Sequence, residues 1–172
     1  MSIVIRPLAP EEFHRIAEID VAEDGDLFYQ YAGGKLTTVS ETWRRPSRSA
    51  AEWARDLSTW QQQLQWDLML GGFVGSSLAG MASIRYRLTA DTAQLATLYV
   101  DREHRRQGLA SGLAAEIIRL AAESGARQLY VSAIPSQSAV EFYLSHGFTP
   151  TDRPDPDLFA LEPDDIHMIR VL

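Results

Sequence analysis

Between residues 95 and 118 the spacing of apolar side chains changes abruptly. LATLYV (95–100) is an apolar run of strand character, and REHRRQGLASGLAAEII (102–118) passes at once into a helical pattern. Leu109, Leu113, Ile117, Leu120 and Ala121 fall on one helical face, and Gly125 stands where a helix-terminating glycine belongs. QLYVSA (128–133) is the next strand. A strand, a helix and a strand over 93–133 are long enough for a parallel crossover. That unit commits the chain to an α/β architecture.

The flanking segments extend the pattern. IVIR (3–6) is a short β-branched strand, and Phe13, Ile16, Ala17 and Asp20 give a helix from about Glu11 an apolar stripe ending at an acid. Residues 20–46 contain Gly25, Gly33, Gly34 and Pro46 and show no clean period, so they read as a long irregular connection. Ser49-x-x-Glu52 is a capping box for a helix to about Trp66, with Trp53, Leu57, Trp60 and Leu64 on one face. Two apolar runs around Gly75-Ser76-Ser77 read as a β-hairpin, and Leu78, Gly80, Ala82, Ile84 and Tyr86 alternate along its second strand. Residues 138–146 form a helix with Ser138-x-x-Glu141 as its capping box and Gly147 as its stop. A Pro/Asp-rich loop (150–157) and a closing strand (167–172) follow. The expected fold is a single domain over 1–172, α/β, with a central mixed sheet and helices on both faces.

Composition narrows the partners. Sixteen basic against twenty-three acidic residues give a net charge of -7, which argues against a nucleic-acid binder. The chain has no cysteine, so disulfides, thiolate nucleophiles and cysteine-ligated zinc are excluded. The four histidines are scattered, none in an HExxH pair, and no metal site is expected. No apolar run is long enough for a membrane span and no signal-peptide pattern opens the chain, so a cytoplasmic location is expected.

Against that acidic background, Arg102, Arg105 and Arg106 crowd just ahead of Gly108. A strand that ends in a turn and opens a helix aims free backbone N–H groups outward, and the helix dipole adds to them. Gly108 allows close backbone approach, Ala110 keeps the side chain small, and arginine forks onto phosphate oxygens. The stretch is therefore read as a grip for an anion, with pyrophosphate the candidate. The spacing of a P-loop is absent, and only one glycine of a dinucleotide-binding turn is present.

Arg105-Arg106-Gln107-Gly108-Leu109-Ala110 resembles the [RQ]-x-x-G-x-[GA] signature of the GNAT superfamily of acyl-CoA-dependent N-acetyltransferases. Ala139-x-x-Phe142-Tyr143-x-x-x-Gly147-Phe148 resembles that family's tyrosine-bearing helix. The resemblance is sharp over 93–148 and implies a sheet of about six or seven strands with the fourth and fifth splayed apart. It implies acetyl-CoA as co-substrate, with its pyrophosphate on the turn formed by Arg105, Arg106, Gln107, Gly108, Leu109, Ala110 and Ser111. Leu98, Tyr99 and Val100 would run along the pantetheine arm, and Ser136 would stand where the family often has asparagine. Tyr143 would be the general acid, since thiolate departure calls for a donor. The acceptor would be an amine of a small molecule or peptide, attacked directly in a ternary complex, and a homodimer is compatible with the resemblance. Many members carry a glutamate base on the fourth strand. Ala96 and Thr97 stand there, and neither is a base. Glu23, Asp24, Asp26 and Glu41 are the alternative acids, and a non-catalytic acyl-CoA-binding module is the competing reading.

Overall fold

The computed structural model describes residues 2–172. Seven strands form one sheet in the order β1-β4-β5-β6-β7-β9-β8. They are β1 (Ile3–Pro7), β4 (Leu68–Val74), β5 (Ser77–Arg85), β6 (Thr92–Val100), β7 (Gln128–Ala133), β8 (Thr149–Pro150) and β9 (Ile166–Val171). β6 and β7 are parallel, joined through helix α2 (Leu109–Glu123), and the other neighbours are antiparallel. A three-residue hairpin cannot join parallel strands, so the crossover helix must lie on a face of the sheet.

Two packed layers result. Leu109, Leu113, Ile117 and Ala121 of α2 bury against Leu70, Ile84 and Leu95, together with Val140, Tyr143 and Phe148 from and beside α3 (Gln137–Ser145). The opposite face is covered by α1 (Ala50–Gln63) and a 3-10 segment at Pro10–Glu18, through Trp53, Ile16, Ile19, Met81 and Leu78. A Cβ on Gly72 would lie 2.5 Å from Leu109 Cδ1, so this glycine lets the start of α2 sit directly on the sheet. Both sheet faces being covered, Leu78 through Ile84 are all buried, and the alternation expected along β5 does not separate an inside from an outside.

Other expectations need correction. Residues 20–46 are not irregular: they form a separate two-stranded sheet, β2 (Glu23–Ala32) and β3 (Lys35–Arg45). Ala32 pairs with Lys35, and Gly33 and Gly34 both have positive φ (58° and 75°), which is the demand of a tight two-residue turn. The segment preceding it is a 3-10 helix, not an α-helix. α3 is capped by Ser136, whose Oγ accepts from the Ala139 N–H at 3.3 Å, two residues earlier than the expected box at Ser138. The Pro/Asp-rich loop holds a fourth helix, α4 (Pro156–Leu161), capped by Asp155 Oδ1 accepting from Asp157 and Leu158.

Candidate active site

β6 and β7 pair only from Thr92 to Gln94 and from Gln128 to Tyr130. Beyond Gln94 they part, which is the expected splay. A cavity of 510 Å³ opens along the gap. Its walls include Leu98, Tyr99 and Val100 of β6, Arg105, Arg106, Gly108, Ala110 and Ser111 of the turn, and Ser136 and Tyr143 around α3. Ten of the residues singled out in the sequence thus meet in one place. The other two do not face it with their side chains. Leu109 is 1% exposed in the core, and Gln107 donates from Nε2 to the Glu103 carbonyl.

The turn is shaped for an anion. Arg106 and Gly108 both adopt left-handed backbone, at φ 59° and 87°. Among the described residues, the N–H groups of Arg106 through Ser111 have no protein acceptor. Space above Gly108 is open, since nothing lies within 4 Å of a Cβ built there. Successive unpaired N–H groups at a helix start form a concave donor site.

The arginines divide their work. Arg105 donates from Nη1 to the Ala22 carbonyl (3.1 Å) and from Nε to that of Val100 (3.4 Å), so it ties the turn to the approach of β2. Arg102 is 3.8 Å from Asp20. Arg106 makes no ion pair among the described residues and stays exposed at the cavity's edge. Sequence reading missed Arg45, which also lines the cavity and is held by Glu23 at 2.6 Å. That pair occupies the first of the alternative bases.

Tyr143 is 7% exposed, edge-on to Phe142 and Phe148. Burial pushes its phenol pKa well up, and the neighbouring Tyr99 phenol and Asp165 carboxyl add to the shift. It stays protonated at any ordinary pH. Thr97 is turned away from the gap, with its Oγ1 2.7 Å from Ser83 Oγ and directed at Met81 Sδ. The ladder steps from Ser83–Thr97 to Ile84–Leu95, so Ala96 is a bulge residue. Neither position offers a proton acceptor.

A second cavity, of 400 Å³, has Tyr31, Asp152, Phe159, Asp164, Asp165 and His167 in its walls. A hydrogen-bond chain fixes this side. The Asp155 N–H donates to the Tyr130 hydroxyl (3.0 Å), Tyr130 donates to His167 Nδ1 (2.6 Å), and His167 Nε2–H donates to the Glu162 carbonyl (2.9 Å). The imidazole is thereby neutral with its proton on Nε2, and burial lowers its pKa. The chain pins both ends of α4, since Asp155 and Glu162 are its caps.

A model of the acetyltransferase (GNAT) family matches residues 36–148. The chain belongs to that family. No curated protein matches it by sequence. Several solved acetyltransferases share its fold over nearly their whole length. A nourseothricin acetyltransferase superposes with a TM-score of 0.76 at 18% identity, covering 99% of each chain. A putative streptothricin acetyltransferase from Bacillus anthracis, solved with acetyl coenzyme A, gives 0.75 at 15% identity, over 100% of this chain and 99% of that one. An N-acetyltransferase from Thermoplasma acidophilum, solved with coenzyme A, gives 0.65 at 19% identity over 100% of both. No helix among the described residues is long and apolar enough to cross a membrane.

Proposed function

We propose that this GNAT acetyltransferase moves an acetyl group from acetyl-CoA to the amine of a small molecule or peptide, by direct attack in a ternary complex. One observation carries the reading: a single cavity joins the donor-rich turn to a buried phenol. The unpaired N–H groups of Arg106 through Ser111 suit a pyrophosphate, and Arg106 adds charge at its edge. The pantetheine arm would lie along Leu98, Tyr99 and Val100, where β6 has lost β7 as a partner. Ser136 closes the cavity at the start of α3.

The phenol's role follows from its acidity. A free thiol has a pKa of about 8.5. Tyr143 lies above that, so full proton loss to sulfur would be uphill at equilibrium. It serves better as a relay, donating to the leaving sulfur while taking a proton from the attacking nitrogen.

The replacement of the strand base by Ala96 and Thr97 favours a second reading, an acyl-CoA-binding module without turnover. Thiol release from acetyl-CoA across a panel of amines and peptides separates the two. Turnover with at least one amine supports the enzyme; binding in calorimetry with no turnover on the whole panel supports the module. Tyr143→Phe is expected to lower kcat by about 100-fold, within the range for a positioned acid. Acetyl-CoA affinity should be unchanged; a parallel loss of both would remove the relay role.

A further inference from the structure

The cavity that holds Tyr143 passes from one face of the sheet to the other. Leu98, Val100, Ala110 and Tyr143 belong to the core on the α2 face, whereas Val21 and Tyr99 belong to the core on the α1 face. All of them line this one cavity, where β6 and β7 have parted. The donor-rich turn takes one end in the reading above. The other end, between Tyr99 and the base of the β2–β3 hairpin, is left for the acceptor.

That end is basic. Glu23 is the one carboxylate in the cavity wall, against Arg45, Arg105 and Arg106. Glu23 stands directly across the hairpin from Arg45, and its Oε2 accepts from Arg45 Nη2 at 2.6 Å. Arg45 Nε donates to the Val21 carbonyl at 3.0 Å. These two bonds fix the guanidinium plane along one edge. Arg45 Nη1 has no protein acceptor among the described residues. A guanidinium held by one edge keeps its remaining fork for a second planar anion. Burial pulls the Arg45 pKa below its ordinary value in spite of Glu23, so a second anion would be welcome.

The layer behind Tyr99 points the same way. The Arg48 guanidinium lies over the rings of Trp53 and Tyr99, at 4.8 and 5.6 Å. Its Nη1 and the Nε1 of Trp53, a residue 1% exposed, are buried without an acceptor. Buried donors are normally matched, so this side of the sheet is short of acceptors. Its acids, Glu23 and Asp56, are already paired with Arg45 and Arg48. A purely cationic ligand would find no free carboxylate there.

We infer that the acceptor is an amino acid, its carboxylate held by the Nη1 end of Arg45 while its amine faces the thioester beside Tyr143. The inference rests on the acetyl-transfer reading above. Glu23 is a positioning residue in it, because it acts through Arg45. The chemistry balances without the carboxylate. The ammonium loses one proton to solvent, and the free amine attacks the thioester carbon. The C–N bond forms and the C–S bond breaks. A second proton from nitrogen reaches sulfur, giving the N-acetyl amino acid and the free CoA thiol. Arg45 and the carboxylate emerge unchanged, so the prediction is one of selectivity.

The test is kcat/KM for glycine, β-alanine, γ-aminobutyrate and ε-aminocaproate, each beside its own primary amide. The series covers the span from Arg45 to the thioester. For at least one length the acid should exceed its amide by roughly 30-fold, the scale of a charge-assisted hydrogen bond. A nearby carboxylate favours the ammonium form, so intrinsic reactivity runs the other way. Arg45→Gln should bring that ratio close to one, and Arg45→Lys should restore it only in part. Acids and amides used equally by the wild type, or turnover confined to amines without a carboxylate, would overturn the inference and leave acetyl transfer standing. So would an Arg45→Gln enzyme that keeps the preference, or one that loses acetyl-CoA affinity alone, which would assign Arg45 to the cofactor. Should the wild type be silent with every amine, the acetyl-transfer reading falls. Calorimetry of the CoA-saturated protein with N-acetyl-β-alanine and its amide still decides the site: tighter binding of the acid, lost in Arg45→Gln, upholds it, and equal binding overturns it.

Discussion

The rims of the two cavities are built from opposite chemistry. On one, the turn between β6 and α2 presents unpaired N–H groups and Arg106. On the other, the segment from β8 to β9 presents unpaired carboxylates, with two aromatic rings among them. The first is local: one strand, one glycine and one helix start make it. The second is assembled from β2, α4 and the approach to β9, which lie far apart in the chain. A net charge of -7 describes neither side. Sorting of charge by location matters more than its sum, because water and salt screen distant surface charges while groups set within a cavity are screened much less.

The sharpest way to break this comparison is to spoil the local side. Gly108→Glu would place a β-carbon at a φ of 87° and a negative charge among the donors. Acetyl-CoA affinity should fall by at least about 100-fold, or roughly 2.7 kcal/mol, in calorimetry. Nothing packs against that position, so the fold itself should survive. Unaltered affinity would remove the anion grip.

A smaller effect is expected on the assembled side, read as stability and not as activity. The folded-state pKa of Asp165 is raised from 3.8 to about 7. Between those values the folded protein holds a proton that the unfolded chain has lost, so this group's stability contribution is present at low pH and disappears as pH rises through about 7. Asp165→Asn should therefore raise Tm at pH 8 more than at pH 4. A gain of about 2–4 °C would correspond to each kcal/mol of relief in a chain of this size. Equal shifts at both pH values would show that the carboxyl is not held out of its usual range.

The smallest effect concerns the rim. The Tyr31 hydroxyl donates to Asp152 at 2.7 Å, linking β2 to the acidic segment. It holds the acid's phenolic partner in place at the surface, where a hydrogen bond contributes only about 0.5–1.5 kcal/mol at most. Tyr31→Phe should therefore lower the unfolding free energy by about 0.5–1.5 kcal/mol at most, read in urea denaturation. The KM for acetyl-CoA should stay the same. A change in that KM would show that the bond reaches the first cavity.

Much of this was legible beforehand, for a physical reason specific to each element. The strand, turn and helix of 93–123 lie in one continuous stretch, and its periodicity alone distinguishes them. The turn's donors are backbone groups, so their direction follows from the helix start whatever surrounds it. The tyrosine helix likewise declared itself through Phe142, Tyr143 and Gly147. The β2–β3 hairpin is not legible in the sequence although Gly33-Gly34 marks its turn, because its strands are mostly polar and half-exposed and carry little alternation. The bulge at Ala96 left no trace in composition at all.

The sequence by itself determined the crossover unit, the donor-rich turn and the phenol's helix, since each depends on interactions within a few residues of chain. Only the tertiary structure decided how the acids of the second cavity are buried. An acid's proton affinity depends on the water it has lost and the charges set beside it. For Asp165 the charges beside it, Glu162 and Asp164, are near in sequence, but burial contributes most, and it depends on elements as far apart in the chain as β2, α4 and β9 meeting around one cavity.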